Sequence, residues 1–277
     1  MSAKVLVVVG MHRSGTSLIT QWLNRCGLFI GSNLVGPAIG NLNGHFEDAD
    51  FLRIHQKLLR KRRLPESGLI FKDLPELSEL EKTELKGIIE SKNRKHEEWG
   101  WKEPRTSLFL GEYNELIPGA FYVVVVRSFN ATVNSLVTRQ HKMEEKKFHT
   151  KKGLSKLKWK LFKRKSLDKI FETETDRYLK VWIHYYEKIF QHIQSLPEGR
   201  FMFINYAQLN SNDEDFFAIL KNNWHFSLEY MPFKNVYEQD LLSEVRDVTK
   251  YVRNKALLTK AIAIEKEISL RTALETA

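Results

Sequence analysis

The segment Gly10-Met11-His12-Arg13-Ser14-Gly15-Thr16-Ser17 has the residue types and spacing to bind an anion. Two glycines separated by four residues, directly after the apolar run Lys4–Val9, have the spacing of a phosphate loop. The chemistry is electrostatic: backbone amides and a helix N-terminus converge on a negatively charged group. His12, Arg13, Ser14, Gly15, Thr16 and Ser17 are the candidate ligands. The lysine expected after the second glycine is replaced by Thr16, so the loop lacks the point charge that bridges the β- and γ-phosphates in ATPases and GTPases. Arg13 offers a cation within the loop instead, and no apolar strand ending in a magnesium-binding aspartate is evident. A plain glycine turn joining strand to helix is the alternative, for which so polar a run would be an odd choice.

Gly-Met-His-Arg-Ser-Gly-Thr-Ser resembles the 5′-phosphosulfate loop of sulfotransferases that use 3′-phosphoadenosine 5′-phosphosulfate (PAPS). The resemblance is to the carbohydrate and bacterial branch, which often carries Arg-Ser-Gly-Thr-Ser; the cytosolic small-molecule branch has Lys-Ser-Gly-Thr. A second motif is similar to the family's 3′-phosphate element: the run Phe121–Val126 leads into Arg127, and Ser135 follows eight residues on. A strand there presents Arg127 at its C-terminal tip, where ligands of open α/β sheets bind, and the following helix adds the Ser135 hydroxyl. Ser128-Phe129 stands where the family often has Asp-Pro, which alters the turn but not the two ligands. Phe203-Ile-Asn-Tyr206-Ala-Gln-Leu209 resembles a Tyr-Glu-Asp-Leu stretch whose tyrosine helps hold the adenine. Here Ala207 and Gln208 replace the acidic pair, and Tyr206 reads equally well as a core aromatic.

Sulfuryl transfer to a hydroxyl requires an in-line approach, a base for the acceptor proton and positive charge near the bridging oxygen. Asn41-Leu-Asn-Gly-His45-Phe-Glu47-Asp48 is similar to the region that carries a catalytic glutamate in carbohydrate sulfotransferases. Glu47 is the expected general base, and His45, whose free pKa lies near neutrality, is the competing one. Alternatively, Glu47 or Asp48 caps a helix over Ala49–Arg60. Trp99-Gly-Trp101-Lys102-Glu103-Pro104-Arg105 resembles the Trp-Lys-Asp-Pro-Arg of bacterial members. Pro104 biases Glu103 to an extended conformation, so Lys102 and Arg105 stand at the end of a short strand. The resemblance makes Lys102 a candidate contact to the transferred group and Arg105 a candidate for cofactor or acceptor binding; a surface cluster of charges is the alternative.

These residues need a scaffold, and the hydrophobic pattern supplies one. Lys4–Val9, Phe121–Val126 and Phe201–Ile204 read as short buried strands. Helical spacing follows over Thr16–Arg25, from Ala131, over Thr173–Leu196, near Glu214–Asn222 and in the C-terminal stretch. Strands alternating with helices predict an α/β domain with a central, mainly parallel sheet flanked by helices. The resemblance specifies this as a three-layer fold of the P-loop NTPase type. No linker or internal repeat divides residues 1–277, which read as a single domain.

Hydrophobic residues make up 42% of the 277 and aromatics 12%, ample for a packed core and incompatible with a wholly disordered chain. The single Cys26 excludes an internal disulfide framework and a cysteine-rich zinc site. Apolar runs fall well short of the roughly 18 residues that would cross a bilayer, and no cleavable signal is evident. A cytoplasmic protein is the expectation. The net charge of +10 resides entirely in one stretch, residues 139–169, where 13 Lys/Arg face three acidic residues. That insertion-like segment is a solvated face, an anionic glycan groove, or a contact to an anionic membrane surface and a lipid-linked acceptor. No nucleic-acid recognition motif accompanies the charge.

The combined reading is transfer of a sulfuryl group from PAPS to a hydroxyl of a carbohydrate or glycolipid, with no metal required. A nucleotide-dependent kinase is the alternative enzyme, and a non-catalytic nucleotide- or anionic-polymer-binding protein the alternative from another class.

Overall fold

The computed structural model describes residues 3–36, 44–149, 154–236 and 245–274, with the side chains of 147–165, 206, 273 and 274 outside that description. Four short strands form one parallel sheet: β1 (Lys4–Val9), β2 (Glu98–Lys102), β3 (Phe121–Val125) and β4 (Phe201–Ile204), in the order β2-β1-β3-β4. Each strand is a β-branched or aromatic run buried on both faces, as a covered parallel sheet requires. Period-2 alternation divides the side chains. Val5, Val7, Val9, Trp99, Trp101, Tyr122, Val124 and Phe203 enter one core, and Leu6, Val8, Val123, Val125, Met202 and Ile204 the other.

The first core lies under α2 (Ala49–Lys61), α3 (Glu79–Asn93), α4 (Leu110–Leu116), α5 (Phe129–His149), α6 (Leu154–Gln194) and α8 (Lys255–Leu274). On the other face, α1 (Thr16–Arg25) and α7 (Tyr206–Ala218) cover the second core, completing three layers. Val8 pairs with Lys102, Val9 with Val124 and Val125 with Ile204, so the C-terminal ends of all four strands lie along one edge. Ligands of open α/β sheets bind at that edge.

Local sequence sets the boundaries. α1 ends in a Schellman motif at Gly27 (φ 107°), with Gly27 N–H donating to Asn24 O and Leu28 N–H to Leu23 O, each at 3.0 Å. Two predicted helices are longer than the hydrophobic pattern indicated. The predicted stretch Thr173–Leu196 falls in α6 up to Gln194, and the helix begins at Leu154 because no glycine or proline interrupts the lysine-rich run before it. Likewise α7 starts at Tyr206, where the Asn205 side chain accepts from Gln208 N–H at 2.9 Å; the kink at Asn212 divides it from the predicted Glu214–Asn222 portion. The basic stretch 139–169 occupies the end of α5 and the start of α6, with residues 150–153 and most of its side chains outside the description. No described helix is long and apolar enough to cross a membrane.

Candidate active site

The loop between β1 and α1 is held open by glycine and by strain. A Cβ on Gly10 would stand 2.6 Å from the Val125 carbonyl oxygen, so no larger residue fits between the two strand ends. Arg13 has a φ of 70° and Gly15 one of 97°, both in the left-handed region that bends successive amides toward one point. Gly15 caps α1 without a side chain, and no acidic residue occupies the helix's first turn. Among the described residues, then, no N-cap side chain occupies this end of the helix, and the helix dipole favours an anion there. Ser107 braces the loop from below, accepting from Gly10 N–H at 3.3 Å.

Beside this loop, Arg13, Arg127 and Ser135 converge. Arg13 Nε donates to Ser135 Oγ at 3.0 Å, and Arg127 Nη1 donates to the Arg13 carbonyl at 2.9 Å. Arg127 is oriented from α6: its backbone N–H donates to Tyr186 Oη at 3.2 Å, and its carbonyl accepts from Trp182 Nε1 at 3.4 Å. Burial, and then the charges of Arg139 and Arg127, push the Arg13 pKa down to about 10. Like charges held this close mark a region that favours a multiply charged anion. Tyr206 is the first residue of α7, and its side chain lies outside the described ones.

A second cluster forms where β2 ends. Lys102 lies on the α1 side of the sheet, opposite in pleat to Trp101, and is 1% exposed. Its Nζ donates to Glu47 Oε1 at 3.0 Å, to Ser17 Oγ at 3.2 Å and to the His45 carbonyl. Ser17 Oγ donates to the same carbonyl at 3.0 Å. Burial pulls the Lys102 pKa down, against the opposing pull of Glu47. His45 Nδ1 lies 3.7 Å from Glu47 Oε1. Burial lowers the His45 pKa despite that carboxylate, with Lys102, Arg139 and Arg13 acting in the same direction as burial, so the ring is neutral at physiological pH. Phe46, between the two candidate bases, has a φ of 50°, a strained value for an aromatic residue.

The capping alternative resolves in favour of Asp48. Its side chain accepts from Asp50 N–H at 2.8 Å at the start of α2, and it pairs with Lys92 Nζ. Glu47 is thereby left to Lys102 and His45. Residues 41–43 of the preceding stretch lie outside the described residues.

Sequence patterning singled out Arg105 but gave no signal for His55 and Tyr113, which join it in a buried network behind Lys102. Glu103, extended at φ −154° as Pro104 requires, is 0% exposed and pairs with His55 Nδ1 at 2.5 Å and with Arg105. His55 Nε2 meets Tyr113 Oη at 2.7 Å. Burial would raise the Glu103 pKa, but Arg105 and the His55 hydrogen bond overcome it and hold the carboxyl at about 2. Arg105 Nε also donates to Glu66 O at 2.6 Å, and a Cβ on Gly68 would meet the Arg105 side chain at 2.7 Å. Arg105 thus ties β2 to the 66–68 loop and is not an exposed surface cation. His12 completes the wall, its ring edge-on to Tyr185 at 5.9 Å. Burial, aided by Arg105, lowers the His12 pKa to about 3, so this ring is neutral too.

A parallel α/β sheet thus carries a glycine loop at its C-terminal edge, with a buried lysine–carboxylate pair beside the start of α1. The sequence profile of the sulfotransferase family matches residues 6–220, and the chain belongs to that family. No curated protein sequence matches it. Among solved structures it is similar to the sulfotransferase STF9 from Mycobacterium avium, at 16% identity and a TM-score of 0.55, covering 95% of this chain and 76% of that one. It is also similar to the sulfotransferase domain from the curacin biosynthetic pathway, at 13% identity and a TM-score of 0.50, covering 96% of this chain and 98% of that one. At these identities the likeness extends to the fold: a central parallel sheet flanked by helices, of the P-loop-like kind. Among the described residues, no group of three or more His, Cys, Asp or Glu is arranged to hold a metal ion.

Proposed function

We propose that this sulfotransferase takes its sulfuryl group from PAPS and transfers it to a hydroxyl of a carbohydrate or glycolipid, with Glu47 as general base. The observation that carries the reading is the convergence of Glu47, Lys102 and Ser17, from three separate elements, beside the uncapped N-terminus of α1. The donor set suits a nucleotide carrying both a 5′-phosphosulfate and a 3′-phosphate. The loop Gly10–Ser17, with no side-chain cap, suits the former, and Arg127, Ser135 and Arg13 suit the latter.

The bound nucleotide supplies a sulfuryl group whose bond to a phosphate oxygen breaks as the acceptor oxygen bonds to sulfur. Glu47 takes the acceptor proton. Lys102 and the α1 amides stabilise negative charge that grows on the departing oxygen, in a shielded setting where such interactions are strong. His45, neutral and adjacent to Glu47, orients the acceptor hydroxyl. The Glu103–His55–Tyr113 chain, with Arg105, fixes the end of β2 and hence the reach of Lys102. The test is transfer of labelled sulfate from PAPS to a panel of glycans and glycolipids. Transfer to at least one, abolished in Glu47→Gln, supports the reading, and no transfer to any of them counts against the acceptor class.

A further inference from the structure

Arg127 lies between the end of β3 and the start of α5, so its backbone belongs to neither the strand nor the helix. Val126 N–H still donates to Ile204 O at 2.9 Å, which continues the sheet ladder by one residue. At Arg127 the partners change, and both backbone groups go to side chains of a single helix. Its N–H donates to Tyr186 Oη at 3.2 Å, and its carbonyl accepts from Trp182 Nε1 at 3.4 Å. Trp182 and Tyr186 stand one turn apart on α6 and share a face, both fully buried, with ring centroids 4.5 Å apart. Phe129, the first residue of α5, meets the Trp182 ring edge-on at 5.9 Å. Burial alone would be served as well by phenylalanine at position 186; the hydroxyl is the atom of that ring that reaches Arg127. The clamp therefore holds the root of a side chain whose tip, Nη1, donates to the Arg13 carbonyl in the glycine loop at 2.9 Å.

We propose that Tyr186 is a positioning residue for nucleotide choice: acting through the Arg127 backbone, it aims the guanidinium and so sets the preference for a 3′-phosphorylated adenosine nucleotide over one without that phosphate. Trp182 supports it from the carbonyl side. The inference rests on the assignment of Arg127 to the 3′-phosphate above. The advantage of a guanidinium over a point charge is directional, so a fork that is wrongly aimed keeps its charge and loses its paired bonds. Neither a strand ladder nor a helix turn supplies that aim at Arg127, so it comes from the two α6 side chains. Without the Tyr186 hydroxyl, the shielded N–H loses this acceptor, and the peptide turns to find another.

The test is calorimetric titration of the full chain with adenosine 3′,5′-bisphosphate and with adenosine 5′-monophosphate, read as the ratio of their affinities. Tyr186→Phe keeps the ring and its packing while removing the hydroxyl. The ratio falls by at least about threefold, the scale of one hydrogen bond, and the monophosphate affinity stays within about twofold of wild type. Trp182→Phe carries the same test from the other end of the peptide and lowers the ratio by less, because its bond is the longer one. Tyr178→Phe is the control: it removes another shielded hydroxyl from α6, the donor to Gln140 Oε1 at 2.6 Å, and leaves the ratio unchanged. In an Arg127→Ala background, Tyr186→Phe changes the ratio no further, since it acts through Arg127. A fall of less than about threefold in Tyr186→Phe overturns the inference. Equal weakening of both nucleotides also overturns it, because that marks a purely structural role, and so does a further loss in the Arg127→Ala background. Equal affinities in the wild-type protein would instead sink the 3′-phosphate reading itself, and the inference with it.

Discussion

Replacing Glu47 by Gln keeps the side chain's size and one hydrogen-bonding oxygen while removing its charge and basicity, so two effects separate. Loss of the general base lowers kcat by about 100- to 10,000-fold. The stability effect comes from Lys102, whose side chain is 1% exposed and lies 3.0 Å from Glu47, itself 12% exposed. Without Glu47 the buried ammonium keeps the Ser17 hydroxyl and the His45 carbonyl as hydrogen-bond partners but loses its paired carboxylate. Breaking such a pair costs about 3 kcal/mol here, the low end for buried pairs because Glu47 retains some solvent contact. For a chain of this length that lowers Tm by about 6–12 °C. The double variant Glu47→Gln/Lys102→Met removes both charges, recovers most of that stability and stays inactive, because neither base nor cation returns. Calorimetry and labelled-sulfate transfer on the same preparations read both effects. Turnover of Glu47→Gln within about tenfold of wild type would refute the assignment and leave Glu47 as the counterion of Lys102. His45→Asn, measured in parallel, identifies the base in that event.

Three further outcomes follow from the same geometry. Arg127→Ala removes the donor to the carbonyl of Arg13, whose own guanidinium meets Ser135, so adenosine 3′,5′-bisphosphate should lose most of its stabilising advantage over ATP with magnesium in a thermal-shift titration. Glu103 has its carboxyl depressed from 4.5 to about 2, so it contributes stability above pH 4.5 that is lost as pH falls toward 2. That shift amounts to about 3 kcal/mol, and Glu103→Gln should flatten the acid limb of a Tm-versus-pH profile over that window. Asp48→Ala deletes the α2 cap and the nearer of the two carboxylates on Lys92, the other being Asp50, so Tm should fall by more than a cap alone, worth about 1 kcal/mol, would account for.

The sheet was legible because its strands are short β-branched or aromatic runs, each bounded at one end or the other by glycine, proline or a charge. The phosphate loop was legible because Gly10 and Gly15 serve a backbone purpose that spacing alone reveals. Helix lengths were harder to read. The kink at Asn212 and the lysine-rich start of α6 carry no apolar stripe, so pattern alone stopped short of both. The Lys102–Glu47 contact joins residues far apart in sequence, and only the parallel register at the end of β2 brings them together. His55 and Tyr113 could not have been found from sequence, because each reads as one more member of a helical face until His55 is seen to bridge Glu103 and Tyr113.

Calorimetric titration with adenosine 3′,5′-bisphosphate against adenosine 5′-monophosphate tests the central claim most directly, since the two ligands differ only in the phosphate assigned to Arg127, Ser135 and Arg13. The bisphosphate should bind tighter by at least about tenfold, as expected for charge-assisted hydrogen bonds to a phosphate, and Arg127→Ala should lose that margin. Equal affinities in the wild-type protein would contradict it.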